Sequence, residues 1–212
     1  MKIVYVSEQS EKQLKDYIRK KNYRVFYVSP SDNLQPQVAD HPDMSICRLP
    51  GEMFFGYDDQ LSPDYPKDVL FNCAWVGKYF ICSKYADETL LKHAVQFGLT
   101  PVVVPQGYVK CNLAIVDEKH VITEDEGIAK VLKDETDIEC LLIQSGHVKL
   151  NGYNHGFIGG ASGRLEDEML FNGNLAAHPD YQRIKEFVEA CGLKLKYFDE
   201  YELNDIGSII GG

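Results

Sequence analysis

The stretch GYVKCNLAIV, residues 107–116, sets Cys111 between Lys110 and Asn112 at the entrance to a run that reads as a buried strand. A cysteine attacks carbon as its thiolate, and a neighbouring cation lowers the thiol pKa from about 8.5. Lys110 is such a cation. Adjacent side chains of a regular strand point to opposite faces, so Lys110 and Cys111 cooperate only where the strand entrance is irregular. Imidazole, with an ordinary pKa near 6.5, is the matching proton carrier. His41 in DHPDMSI and His155 in GYNHGFIGG are the two candidates. The bland readings stand beside these: an H-P-D triplet also builds turns, and a free thiol also fills a core.

Cys47, Cys73, Cys82, Cys140 and Cys191 lie in strand or helix runs and read as core fillers. The six cysteines form no C-x-x-C pair, which points to free thiols and away from a structural zinc site. No metal or cofactor is expected. GGASGRL, residues 159–165, resembles a phosphate-cradling loop in isolation. A phosphate nest opens a helix, however, and the following LEDEMLF reads as a strand. Its glycines then allow close backbone approach, and Ser162 and Arg164 are free to contact an anionic group such as a carboxylate. Trp75, Tyr79, Phe80, Phe54 and Phe55 stand in strand-like runs and read as core.

A chain of 212 residues, 44% apolar and 25% charged, can bury a substantial core and is read as one domain spanning residues 1–212. Its net charge of -10 disfavours a nucleic-acid surface, which needs clustered Lys and Arg, and suits a cationic small molecule. MKIVYVSEQS lacks the apolar segment of a signal peptide, and no run approaches the roughly 18 apolar residues of a membrane span. A cytoplasmic protein is expected.

Four helices follow from capping and periodicity. SEKQLKDYIRKK offers Ser10 and Gln13 as a capping box with Leu14, Tyr17 and Ile18 inward. ADETLLKHAVQFG has Asp87 as cap, Leu90, Leu91, Ala94 and Val95 inward, and Gly98 as stop. TEDEGIAKVLKD offers Thr123 and Glu126 as a capping box before Ile128, Val131 and Leu132. HPDYQRIKEFVEACG starts on Pro179, with Asp180 aiding the first turn, and stops at Gly192. Short β-branched and aromatic runs lie between them. The order strand, tight turn, strand, helix, strand recurs from NCAWVGKYFICS, from NLAIVDEKHVITE and from GASGRLEDEMLFNG, in units of about 40 residues. DMSICRLPGEMFFG keeps only the hairpin. A last copy is split, with DIGSII supplying the first strand and MKIVYV, the first helix and YRVFYV the rest. Such units cover their apolar faces by closing into a ring, with a doubly wound parallel sheet as the rival.

This pattern resembles the pentein, or guanidine-modifying-enzyme, fold of α/β class: a propeller of five ββαβ blades. Here one blade is degenerate and one is closed by the N- and C-terminal segments. GYVKCNLAIV with ITEDEGIAKVL, GYNHGFIGGASGRL with LFNGNLAAHPDYQRIKEF, and NDIGSII resemble an uncharacterised bacterial family labelled only by that fold. Catalytic pentein enzymes, such as arginine and agmatine deiminases and dimethylarginine hydrolases, attack a guanidinium carbon with Cys, hold its nitrogens with carboxylates and shuttle protons with His. Translation initiation factor six shares the fold and is a non-enzymatic ribosome-binding protein. The resemblance implies that the starts of the first strands, Asp43, Asn72, Asn112, Gly160 and Asp205, converge near the axis. In the catalytic relatives the Cys lies in the last blade and the His in the adjacent one. Cys111 and His41 depart from that order.

Two functions remain open on the sequence. One is a Cys-dependent hydrolase or transferase acting on a guanidino or amidino small molecule. In it Cys111 attacks, His41 or His155 carries protons, and Asp43, Asn72, Lys110, Asn112, Ser162, Arg164 and Asp205 bind substrate. The other is a non-catalytic ring that binds a metabolite or a protein.

Overall fold

The computed structural model describes residues 2–211 and contains five small sheets. The first joins the two ends of the chain. β1 (Ile3–Ser7) pairs parallel with β2 (Arg24–Val28) and antiparallel with β14 (Ile210–Gly211), with α1 (Lys12–Lys20) between β1 and β2. The second is a bare hairpin of β3 (Ile46–Leu49) and β4 (Glu52–Phe55). Its turn places Pro50 before Gly51 at φ 79°, the left-handed position a type II turn reserves for glycine.

The other three sheets share one plan, an antiparallel hairpin followed by a helix and a strand parallel to the hairpin's second strand. β5 (Ala74–Val76), β6 (Tyr79–Ser83), α2 (Glu88–Gln96) and β7 (Thr100–Val104) make one; α3 (Val109–Asn112) then leads to β8 (Ala114–Ile115), β9 (His120–Thr123), α4 (Glu126–Glu135) and β10 (Glu139–Leu142). β11 (Ser162–Leu165), β12 (Glu168–Phe171), α5 (Tyr181–Ala190) and β13 (Lys194–Lys196) complete the set. The recurring order read from sequence is therefore present, including the hairpin without a helix and the sheet split between the termini.

The apolar residues pack between neighbouring sheets. Met44, Leu49 and Phe54 meet Phe80, Leu90 and Ala94. Val76 and Ile81 meet Val121, Ile128 and Leu132. Ile122 meets Phe171, Ile184 and Val188, while Val4, Val6, Leu14 and Ile18 meet Leu165 and Leu170. β11 lies against both β8 and β14, and β3 lies against β5, so the first strands face inward. The edge strands thereby gain cover from the next sheet. No helix among the described residues is long and apolar enough to cross a membrane.

Several local details differ from the sequence reading. α1 begins one residue later than a Ser10 cap requires: Glu11 holds the cap position without a side-chain bond, and the buried Ser10 hydroxyl has no partner. α4 is capped by Asp125, which accepts from Ile128 N at 2.8 Å, while Thr123 accepts from Asp125 N and so closes the preceding turn. Asp87 does cap α2, accepting from Thr89 N and Leu90 N at 2.9 Å each. Val95 lies on the outer face of α2 and is 53% exposed, because Leu90 and Ala94 already fill the inner stripe. Phe55 is 51% exposed and packs edge-on to Tyr5.

Candidate functional site

The entrance to β8 is one helical turn, Val109–Asn112, instead of extended chain. Asn72 fixes it. Its Oδ1 accepts from Lys110 N at 2.7 Å and Cys111 N at 3.2 Å, and its Nδ2 donates to Cys111 Sγ at 3.1 Å and to Asp43 O at 3.1 Å. One amide side chain thus ties three of the strand starts together. The Cys111 thiol donates to Asp43 Oδ2 at 3.3 Å. Asp43 Oδ2 also accepts from Ser208 Oγ at 2.5 Å, and Lys110 Nζ donates to that hydroxyl at 2.9 Å. Lys110 therefore reaches the carboxylate through Ser208.

Asp205 stands beside this group. Its two oxygens accept from Gly207 N and Phe157 N at 2.9 Å each, and Oδ1 lies 3.8 Å from His41 Nδ1. Gly160 allows the approach: a Cβ there would come within 2.0 Å of Asp205 Oδ1, and Gly160 N donates to Cys111 O at 2.8 Å. Gly207, at φ 69°, does the same for His41, whose Cβ would lie 2.2 Å from an added methyl.

Lys110 and Phe157 are partly exposed; the other groups are buried, and Cys111 is 3% exposed. Burial, reinforced by the charges of Asp43 and Asp205, pushes the Cys111 thiol well above its ordinary value. Burial also raises Asp43, and raises Asp205 to about 6 against its two N–H donors and Lys110. It lowers His41 and Lys110, although Asp43 acts in the opposite sense on both. Burial therefore favours the protonated thiol, which is hydrogen-bonded to the Asp43 carboxyl.

The remaining candidates from the sequence make contacts elsewhere. His155 Nδ1 lies 3.0 Å from Gly156 O, with its ring edge-on to Phe157. Asn112 donates to Tyr108 O within its own turn at 2.8 Å, and Ser162 donates to Gly159 O at 3.2 Å. Arg164 and Trp75 line a cavity of about 590 Å3 that reaches the Cys111 network at Lys110. Away from the site, Asp117, His120 and Cys191 bring ligand-type atoms within 4.8 Å of one another. Asp117 there already accepts from Lys119 N, His120 N and the His120 ring.

Two residues of the site escaped sequence reasoning. Ser208 takes φ 75°, uncommon for a residue with a Cβ, and so turns its hydroxyl onto Asp43. Glu124 follows β9 and is 8% exposed; neither carboxylate oxygen has a well-aligned donor among the described residues, the Ile158 N–H being a marginal one. Burial, with Asp205 adding to it, raises Glu124 to about 8. Asp43 Oδ1 is likewise buried without a partner. The only sequence signals were a Gly-Ser pair before a strand and an acid inside TEDEG, where capping was the nearer reading.

The chain belongs to a family of unknown function, DUF6873, whose signature matches residues 5–210. Among curated protein sequences none matches significantly. Solved structures supply the fold. One is a dimethylarginine dimethylaminohydrolase adduct with 4-chloro-2-hydroxymethylpyridine, similar at TM-score 0.59 and 10% identity over 93% of this chain and 91% of that one. Another is a cysteine-to-serine mutant of the Pseudomonas aeruginosa enzyme complexed with citrulline, at TM-score 0.57 and 11% identity over 93% and 91%. The chain shares their mixed α/β pentein fold.

Proposed function

We propose that the protein is a Cys-dependent hydrolase or transferase of the bacterial cytoplasm acting on a guanidino or amidino small molecule, with the five sheets serving as the blades of one propeller around the site. The observation that carries this reading is the Cys111 thiol donating to Asp43, itself tied to Asn72 and flanked by Asp205 and His41. Asp43 Oδ1 and both Glu124 oxygens are acceptors without well-aligned donors, and a guanidinium brings donors and positive charge. A cation held there lowers the thiol pKa by the same Coulombic effect that the carboxylates now exert in reverse. In the reaction, Cys111 passes its proton to Asp43 Oδ2 and its sulfur bonds to the central carbon. His41 relays that proton from Asp43 to the departing amine as its C–N bond breaks, and water or an acceptor amine, giving up a proton to the same relay, then attacks the carbon and releases the sulfur.

The test compares 2-chloroacetamidine with neutral chloroacetamide on the intact protein, read by mass spectrometry. Faster alkylation of Cys111 by the cationic reagent, with agmatine or dimethylarginine protecting, is expected. A Cys111 inert to both reagents, or alkylated equally by both, overturns the proposal.

A second reading has one specific observation behind it. Lys110 already supplies the cation that balances Asp43, so the network is close to saturated without a ligand. In a non-catalytic ring that binds a metabolite or protein, Cys111→Ala leaves binding intact.

A further inference from the structure

The cavity of about 590 Å3 runs along the first strands, with Arg48, Trp75, Ile115 and Arg164 in its wall. Of the Cys111 network, which sits at the beginnings of those strands, Lys110 lines this cavity and Cys111, Asp43 and Asn72 do not. Two guanidinium groups therefore face one space on a chain whose net charge is -10.

Neither arginine has a carboxylate within ion-pair distance among the described residues. Arg48 lies over the Trp75 ring at 5.6 Å, a contact that fixes its planar group and leaves its N–H fork free. Arg164 is held by the carbonyl oxygens of Glu166 at 3.0 Å and Val116 at 3.2 Å, which orient the guanidinium without neutralising it. The acidic residues at the cavity are mostly engaged elsewhere: Glu166 pairs with Lys2, and Asp117 takes two backbone N–H groups and the His120 ring. Glu118 stands exposed at the rim. Both guanidinium groups remain open to solvent; partial desolvation, with the Arg164 charge adding to it, lowers the Arg48 pKa from its ordinary value.

We propose that this cavity binds a small organic anion bearing phosphate or carboxylate groups, gripped between the guanidinium groups of Arg48 and Arg164. The planar N–H fork of arginine matches both oxyanions, and two forks in one cavity favour a ligand with at least two negative oxygens presented together. The volume admits a metabolite-sized molecule, within the 300–1,000 Å3 common for ligand sites. This site meets the Cys111 network at Lys110, and its two arginines take no part in the chemistry proposed at Cys111.

Isothermal titration of the intact protein with inorganic phosphate, pyrophosphate and citrate tests it, the first two against the third separating phosphate from carboxylate preference. Saturable binding of at least one probe at a single site is expected, weakened about tenfold or more in both Arg48→Gln and Arg164→Gln and falling with added salt. Circular dichroism and urea midpoints check that these variants remain folded. If one does not, Arg48→Lys and Arg164→Lys keep the charge but lose the fork, and carry the same comparison. Absence of saturable binding for all three probes, or unchanged affinity in both variants, overturns the proposal.

Discussion

Replacing Glu124 by Gln isolates the energetic cost of the least satisfied carboxylate in the molecule. Glu124 is 8% exposed, and among the described residues its oxygens have no well-aligned donor, only a marginal one in the Ile158 N–H, which opposes the effect of burial. Burial, helped by Asp205, raises it from 4.5 to about 8. The folded state therefore keeps a proton that the unfolded chain releases. Below pH 4.5 both states are protonated and the group costs nothing. Between there and about pH 8 the folded state loses about 1.36 kcal/mol per pH unit relative to the unfolded chain, and above that the loss levels off near 5 kcal/mol. Gln carries no titrating proton. Its buried amide adds a cost of about 1–3 kcal/mol that does not vary with pH. Urea unfolding of both proteins from pH 4.5 to 9 at fixed ionic strength gives the difference in stability at each pH. The expected curve moves in favour of Glu124→Gln by about 3 kcal/mol between pH 4.5 and 7 and by about 5 kcal/mol at the plateau. Because the offset from the amide is constant, the slope is the signal. Parallel stability curves would refute the assignment of Glu124 as a buried, unpartnered acid.

Two further substitutions probe how the strand starts are held together. Gly160→Ala drives a methyl to 2.0 Å from Asp205 Oδ1, and is expected to cost at least about 3 kcal/mol, read as a lowered urea midpoint; a cost under 1 kcal/mol would contradict the close approach. Ser208→Ala removes the hydroxyl between Lys110 and Asp43 and is expected to cost about 1–3 kcal/mol. Ser208→Gly loses the same hydroxyl but takes φ 75° freely, so it should be about 1 kcal/mol more stable than the Ala variant.

The sheets were legible because their physics is local. Alternation and β-branched runs marked the strands, Asp87 and Gly98 bracketed α2, and the Leu-Pro-Gly-Glu turn named its own hairpin. Where side chains at one helix end competed, the sequence was ambiguous. Thr123 and Asp125 both precede α4 and both bond backbone N–H groups, and only the exact start of the helix decides which is the cap. The turn of α3 was not legible. Val109–Asn112 reads as strand, and it is helical because Asn72, far away in sequence, captures the N–H groups of Lys110 and Cys111 together. Among the site residues, Asp43, Asn72 and Asp205 were visible as equivalent positions in a repeat, and Cys111 as the neighbour of a further such position, Asn112. Ser208 and Glu124 were not, since their roles depend on one backbone torsion and on one absent donor.

The irregular entrance that sequence reasoning required for Lys110 and Cys111 to cooperate is present, but its consequence is different from direct pairing. One helical turn points both backbone N–H groups at the same Asn72 oxygen, while the Lys110 side chain runs to Ser208 and the thiol turns to Asp43. Lys110 therefore acts on Cys111 through a hydroxyl and a carboxylate. Its charge partly neutralises Asp43 instead of stabilising a thiolate, and two acids and full burial outweigh it at the sulfur. A resident cation on this side of Asp43 leaves Oδ1 as the carboxylate's free oxygen. Any activation of Cys111 must then come from positive charge delivered to that free oxygen or to Asp205, which makes arrival of a cationic ligand, and not the resting protein, the step that would create the nucleophile.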